Sequence, residues 1–241
     1  MRVIAFAGPS LPPAAREPFV AIEWRPPAEA GDLLRLDAGP GATICLIDGY
    51  FDHRPAVRHK EILLLLSEGV RVLGASSIGA LRAAEMDGFG MVGVGAIYSA
   101  YRRGTIVGDD EVALIHGPAE SGWKPLSVPL VDVRATLAGA VRRRRVGKAE
   151  ARALLHRAAA IHYVDRNRSA LATWLSGEII EQKKADAILC LQAAMQPGGS
   201  GARPERVVTS ALRQLASECG INLEARPKED QALRIGEERR P

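Results

Sequence analysis

The residues most suited to catalytic chemistry are Ser76 and Ser77, which follow a short apolar run and precede a stretch with helical periodicity. This placement predicts a sharp strand-to-helix turn, a geometry that presents a serine hydroxyl at the top of a sheet. The backbone N–H of Ile78 and the positive helix N-terminus would then stabilise an oxyanion, with Gly79 two residues beyond Ser77. Ala75 stands where G-x-S-x-G has its first glycine, so the match is partial. Alternatively, either serine only caps the helix.

A nucleophilic serine needs a base, and the helix predicted over residues 56–68 carries two candidates, His59 and Lys60. A lysine whose pKa is lowered by burial can take the serine proton, as in known Ser-Lys pairs. On this interpretation the Lys60 amine lies within hydrogen-bonding reach of the Ser77 hydroxyl. The alternative is an exposed lysine paired with a neighbouring glutamate.

Two further patterns have a weaker connection to chemistry. Residues 88–95 are predicted to form a glycine-rich turn. Residues 88–93 within it satisfy G-x-G-x-x-G, but they follow a predicted helix instead of a strand, which disfavours dinucleotide binding. Asp109, Asp110, Glu111 and His116 could ligate a divalent cation such as Mg²⁺ or Mn²⁺. An acidic run of this kind is also typical of a helix N-terminus.

The elements that would position these residues indicate an α/β fold. Strands are predicted over residues 2–7, 42–48 and 70–74, with a weaker one at 20–24, and helices over 56–68 and 77–86. The uninterrupted alternation from 42 to 86 favours a mostly parallel sheet flanked by helices. Beyond residue 131 only helical periodicity remains. We therefore expect an α/β core over 1–133, a helical C-terminal subdomain over 134–224 and a disordered tail over 225–241.

Polar residues follow two of the predicted strands. Gly8 and Ser10 come after the first, and Asp48 and Tyr50 come after the second. Because the carboxyl ends of parallel strands meet at one edge of a sheet, these residues are expected beside Ser77.

Composition and charge narrow the function classes. The 241 residues are 47% hydrophobic and 25% charged, as in ordinary globular domains. No stretch is long and apolar enough to span a bilayer and the start lacks the features of a signal peptide, so we expect a cytoplasmic protein. Cys45, Cys190 and Cys219 are interpreted as free thiols. The net charge of +4 includes the run Arg142–Arg145. This run forms either a solvated helix face or a binding site for an acidic partner protein or RNA. Because no aromatic residues are interleaved with it, nucleic acid is not expected.

Taken together, the motifs from Ala5 to about Val133 resemble the TfuA-like protein family. Ile78 departs from the methionine that is usual in the family. The matching segments are FAGPSL at 6–11, PPAEAGD at 26–32, IDGYF at 47–51, AVRHKEIL at 56–63, GASSIGALRAAE at 74–85, GMVGVGAIY at 90–98 and DDEVALIH at 109–116.

The resemblance implies an accessory protein for peptide-backbone thioamidation, in the biosynthesis of modified peptides, that works with a YcaO-type enzyme. It implies a hydrolase that cleaves a thiocarboxylated, ThiS-like sulfur-carrier protein to release sulfide and that assists engagement of the precursor peptide. Ser77 becomes the nucleophile and Lys60 its base, with His59 the alternative. Ile78, Gly79, Gly8 and Ser10 are expected at the oxyanion pocket, and no metal or cofactor is expected. The residues expected to contact substrate or partner are His59, Arg82, Asp48, Tyr50, Asp109 and Asp110.

Overall fold

The computed structural model describes residues 2–52, 54–175, 177–198 and 203–226. Most of the expected tail, residues 227–241, lies outside the described residues, as do His53 and Ser176. Within the described ranges, every helix is too short or too polar to cross a bilayer.

The centre of the protein is a five-stranded, all-parallel sheet with the order β2-β1-β3-β4-β5. The order reverses between β1 and β3, and such a switch point leaves a crevice outside the carboxyl ends of the strands. The strands are β1 (Val3–Phe6), β2 (Ile22–Arg25), β3 (Thr43–Leu46), β4 (Arg71–Ala75) and β5 (Val92–Val94).

Helices cover both faces of the sheet and extend beyond it. Short 3₁₀ turns occur at Asp87–Phe89, Asp109–Glu111, Ala119–Ser121 and Leu223–Ala225. The helices are α1 (Pro13–Arg16), α2 (His59–Ser67), α3 (Ile78–Met86), α4 (Gly95–Arg102), α5 (Leu130–Arg142), α6 (Lys148–Ala159), α7 (Arg168–Ala172), α8 (Gln182–Ala194) and α9 (Ser210–Glu218).

The strands have two buried faces, which explains their continuous apolar sequences. In β1, Ile4 and Phe6 pack in a core with apolar residues of α2, whereas Val3 and Ala5 pack in a second core with apolar residues of α8. The helix α8 is therefore a layer of the α/β sandwich, although it follows β5 by almost 90 residues.

The structure confirms the α/β class and the parallel strands, and it differs from the expectation in two places. Val92–Val94 forms an edge strand where a glycine-rich turn was expected. The chain after residue 134 is helical in its described part, but the expected domain boundary falls inside α5 and α8 packs on the sheet. The hydrophobic core thus draws on both parts of the chain.

A buried carboxyl group connects α2 to the loop that follows β2. Glu61 is 0% exposed, and its two oxygens accept the N–H groups of Gly31 at 2.9 Å and Arg58 at 3.0 Å. Burial raises the pKa of Glu61 to about 7, against the opposing effect of these hydrogen bonds. The folded state therefore holds this proton at pH values where the unfolded chain has lost it.

We expect the free energy of unfolding to fall as pH rises from about 4.5 to 7, because the native carboxyl group resists ionisation over this interval. At about 1.4 kcal/mol per pKa unit, Glu61 accounts for roughly 2–3 kcal/mol of that fall. Urea denaturation across this range should show a flatter profile for Glu61→Gln, while Glu17→Gln, at an exposed position, keeps the wild-type slope. Equal slopes for all three proteins would contradict the assignment.

Candidate active site

The turn between β4 and α3 has the geometry of a strained elbow. Ser76 adopts a positive φ of 68°, a conformation rare outside glycine. Ser77 occupies the N-cap position of α3, but its side chain makes no capping hydrogen bond. The interpretation of Ser77 as a helix cap is therefore wrong, and its hydroxyl is directed elsewhere.

Two glycines make room for this elbow. A Cβ on Gly79 would lie 1.7 Å from the carbonyl oxygen of Leu46, at the end of β3. A Cβ on Gly74 would lie 2.1 Å from the carbonyl oxygen of Gly79. The first turn of α3 therefore approaches the ends of β3 and β4 more closely than any side chain permits.

The amine beside the Ser77 hydroxyl is that of Lys183. Its Nζ lies 3.1 Å from Ser77 Oγ and donates a hydrogen bond of 2.8 Å to the carbonyl of Val112. Lys183 is only 3% exposed, and burial lowers its pKa, opposed by the negative charges of Asp48 and Asp132. A buried lysine with a lowered pKa beside a serine is a candidate general base.

Hydrogen bonds to two side chains of α5 fix the position of Lys183. The carboxylate of Asp132 accepts the backbone N–H of Lys183 at 3.1 Å, and the hydroxyl of Thr136 accepts the N–H of Ile180 at 2.9 Å. One turn further along α8, Asp186 accepts the N–H of Ile97 at 2.7 Å and so holds α8 against α4. Burial raises the pKa of Asp132 to about 6, against the opposing effect of its hydrogen bond from Lys183.

Asp48 organises the neighbouring strand ends. One of its oxygens accepts the N–H groups of Gly8 at 2.8 Å and Ser10 at 3.0 Å, and the other accepts the Ser10 hydroxyl at 2.6 Å. Ser76 in turn donates its hydroxyl to Ser10 at 2.8 Å. The amides of Gly8 and Ser10 are thus used within the protein, and the expectation that they bind an oxyanion is wrong. Within the described part of the chain, the N–H of Ile78 makes no hydrogen bond.

Ser77 and Lys183 line one wall of a cavity of about 250 Å³. Four aromatic rings contribute to its lining: Tyr50, Phe51, His116 and Tyr163. Arg54 also lines the cavity; its guanidinium lies 4.6 Å from the ring centre of Tyr50 and contacts the carboxylate of Glu29 at 3.3 Å. The surface of the cavity beside the serine is therefore partly aromatic and apolar.

The structure places the other predicted cations away from this cavity. Lys60 lies on the exposed side of α2, so the expected Ser77–Lys60 contact is replaced by Ser77–Lys183. His59 and Arg82 both contact the carboxylate of Glu85, at 2.8 and 2.7 Å. None of the three lines the cavity.

The acidic run is also outside the site. Asp109 and Asp110 are exposed on a 3₁₀ turn, while Glu111 is buried against Arg134. Among the described residues, no group of three or more His, Cys, Asp or Glu side chains could hold a metal ion. His116 lines the cavity and its Nδ1 contacts the carbonyl of Gly117 at 2.7 Å.

The fold and the site define a doubly wound α/β protein with a buried Ser-Lys pair at the carboxyl ends of its strands. The chain belongs to the TfuA-like protein family, whose model matches residues 48–167. No curated protein matches the chain. Family membership supports the thioamidation-related role that the motifs implied.

Substitution of Gly79 tests the close approach at the elbow. We expect Gly79→Ala to lower the free energy of unfolding by at least about 1–3 kcal/mol, because the new methyl group overlaps the Leu46 carbonyl. Urea denaturation measures the change. Gly88→Ala is the matched control, since a Cβ there meets nothing within 4 Å, and it should stay within about 1 kcal/mol of wild type. Equal effects of the two changes would contradict the described packing.

Proposed function

We propose that this TfuA-like protein is a Ser-Lys hydrolase that serves YcaO-dependent thioamidation by releasing sulfide from a thiocarboxylated sulfur-carrier protein. The observation that carries the proposal is the contact between the buried Lys183 amine and the Ser77 hydroxyl, 3.1 Å apart. Ser77 is the nucleophile and Lys183 the base, in place of Lys60.

Lys183 is suited to proton transfer because burial disfavours its charged form. In the neutral amine, one N–H donates to the carbonyl of Val112, which directs the lone pair. That lone pair accepts the proton of Ser77, whose oxygen then attacks the carbonyl carbon of the thiocarboxylate.

The tetrahedral intermediate places a negative charge on the former carbonyl oxygen. The unpaired N–H of Ile78 and the N-terminus of α3 stand next to Ser77 and can stabilise that charge. The C–S bond breaks, and hydrosulfide leaves as protonated Lys183 returns the proton. Water then attacks the acyl-serine with Lys183 again as base, giving the carrier's carboxylate.

The shape of the cavity supports a slender substrate. Its volume of about 250 Å³ and the aromatic lining by Tyr50, Phe51 and Tyr163 suit an extended tail without large side chains. The positive charge of Arg54 in the same lining favours the approach of an anionic thiocarboxylate. A carrier protein that presents its reactive group on a flexible C-terminal tail meets these requirements.

The two lysines give opposite expectations. Lys183→Met keeps the side-chain length but removes the proton acceptor, so sulfide release from the thiocarboxylated carrier should fall by about 10²–10⁴-fold. Lys60→Met, at an exposed position, should change the rate by less than about twofold. Circular dichroism and gel filtration establish that both variants are folded. Loss of activity in Lys60→Met with retention in Lys183→Met would overturn the assignment.

Ser77→Ala separates the hydrolase from a non-catalytic adaptor that only binds the YcaO enzyme and the precursor peptide. In a reconstituted reaction with thiocarboxylated carrier as the sulfur source, we expect this variant to support no thioamidation. Added sulfide should restore the product, because binding functions remain intact. An adaptor predicts full activity of Ser77→Ala with the carrier, and that result would refute the hydrolase.

Asp132→Asn tests the electrostatic environment of the base. Asn retains an acceptor for the N–H of Lys183 but removes a charge that raises the pKa of Lys183. Above about pH 6, where Asp132 is ionised, the neutral amine should persist to lower pH in the variant. The acid limb of the pH–rate profile should therefore move to lower pH by up to about one unit. A shift to higher pH would contradict Lys183 as the base.

A further inference from the structure

A cavity larger than the one at Ser77 lies between α5, α6 and the segment 177–181. We call it the α5–α6 groove; its volume is about 960 Å³. Buried or half-buried apolar side chains form its floor: Leu137, Leu154, Trp174, Leu175, Ile179 and Ile180. Its volume exceeds that of the Ser77 cavity almost fourfold.

One end of the groove is strongly basic. Arg142–Arg145 are all exposed at the carboxyl end of α5, and among the described residues none of them forms an ion pair. Arg143 and Arg145 line the groove. A Cβ on Gly139 would lie 3.2 Å from an Arg143 Nη and 2.8 Å from Ile180 Cδ1, so the Arg143 guanidinium folds over Gly139 towards the apolar floor.

Three acidic side chains also line the groove: Glu150, Glu178 and Glu181. Glu181 contacts Arg168 at 3.7 Å and Lys184 at 3.4 Å. Glu150 is in the first turn of α6, where a negative charge is favourable. The four exposed arginines at 142–145 nevertheless outnumber Glu150 at the α5 end of the groove, which is therefore locally basic.

One wall of the α5–α6 groove leads along the chain to Lys183. Residues 177–181 line the groove and lead directly into α8, with Lys183 in its first turn. The N–H of Ile180 is held by Thr136, which also lines the groove. A further cavity of about 490 Å³ shares Ile179 and Glu181 with the groove and Lys183 with the Ser77 cavity.

We propose that the α5–α6 groove binds an extended peptide segment whose acidic side chains pair with Arg143 and Arg145 and whose apolar side chains pack on Leu137, Trp174 and Ile179. Charge complementarity and the apolar floor identify this chemistry. By packing on residues 177–181, the bound peptide further stabilises the position of Lys183. This second effect rests on the proposed function, whereas the binding itself does not.

A peptide fits the groove better than RNA. Base stacking needs open aromatic faces, but Trp174, the aromatic ring of the groove, has the guanidinium of Arg157 at 5.1 Å from its centre. The remaining floor is aliphatic, which suits leucine, isoleucine or valine side chains.

Fluorescence anisotropy with the full chain tests the binding. The probe is a labelled ten-residue peptide with two adjacent glutamates followed by alternating leucine and serine. We expect Arg143→Glu/Arg145→Glu to weaken binding at least tenfold, and a probe with glutamine in place of glutamate to lose affinity similarly. The control Arg103→Glu/Arg213→Glu changes two exposed arginines outside the groove by the same net charge and should bind as wild type does.

Equal weakening by the two double variants would mean that the peptide is attracted nonspecifically by charge, and it would refute binding in the α5–α6 groove. Preferential binding of a labelled oligouridine over the acidic peptide, lost in Arg143→Glu/Arg145→Glu, would overturn the peptide assignment in favour of RNA. If the groove binds as proposed but saturating peptide leaves sulfide release unchanged, the coupling to Lys183 is refuted while the binding stands. An inactive wild-type protein that still binds the probe would refute the hydrolase and leave the groove intact.

Discussion

The burial of one lysine amine is the constraint on which the rest of the site depends. Taking a charged ammonium out of water is costly, so a lysine enclosed as Lys183 is favours its neutral form. The same enclosure leaves the amine two polar neighbours, the Ser77 hydroxyl and the Val112 carbonyl. The nearby carboxylates of Asp48 and Asp132 limit how far the pKa falls. The balance of these effects places the pKa of Lys183 below the ordinary value of a lysine.

The sheet order explains why these groups meet. The reversal between β1 and β3 opens a crevice at the strand ends. Asp48 lies there and accepts hydrogen bonds from the loop after β1. Ser76 extends this network from the elbow, where it occupies a backbone conformation that few serines adopt. Because Ser76 is held by Ser10, the adjacent Ser77 is left to face Lys183 and the cavity. The two neighbouring serines thus have separate tasks, one anchoring the turn and one directed at the amine.

Local patterns were sufficient for much of the fold and for half of the candidate site. Apolar runs before glycine or polar residues predicted β1, β3 and β4, and the strand-to-helix junction predicted the elbow at Ser77. The edge strand Val92–Val94 was missed because its glycine-rich sequence resembles a turn. Lys183 was missed because it is 106 residues from Ser77 and stands beside Lys184 in a helix of ordinary composition. A signal existed in the apolar stripe Ala187, Cys190, Leu191 and Ala194, which the structure buries against the sheet and which extends one turn back to Lys183.

The layered construction, in which α8 closes the second face of the sheet, has a consequence for how the protein matures. The family model ends at residue 167, and all of the shared motifs lie before about residue 133, yet the amine beside Ser77 comes from residue 183. During synthesis the ribosome therefore completes the part of the chain that carries the family motifs before Lys183 exists. The Ser77–Lys183 contact forms only when α8 docks, so the assembly of the sandwich and the completion of the candidate site are one event.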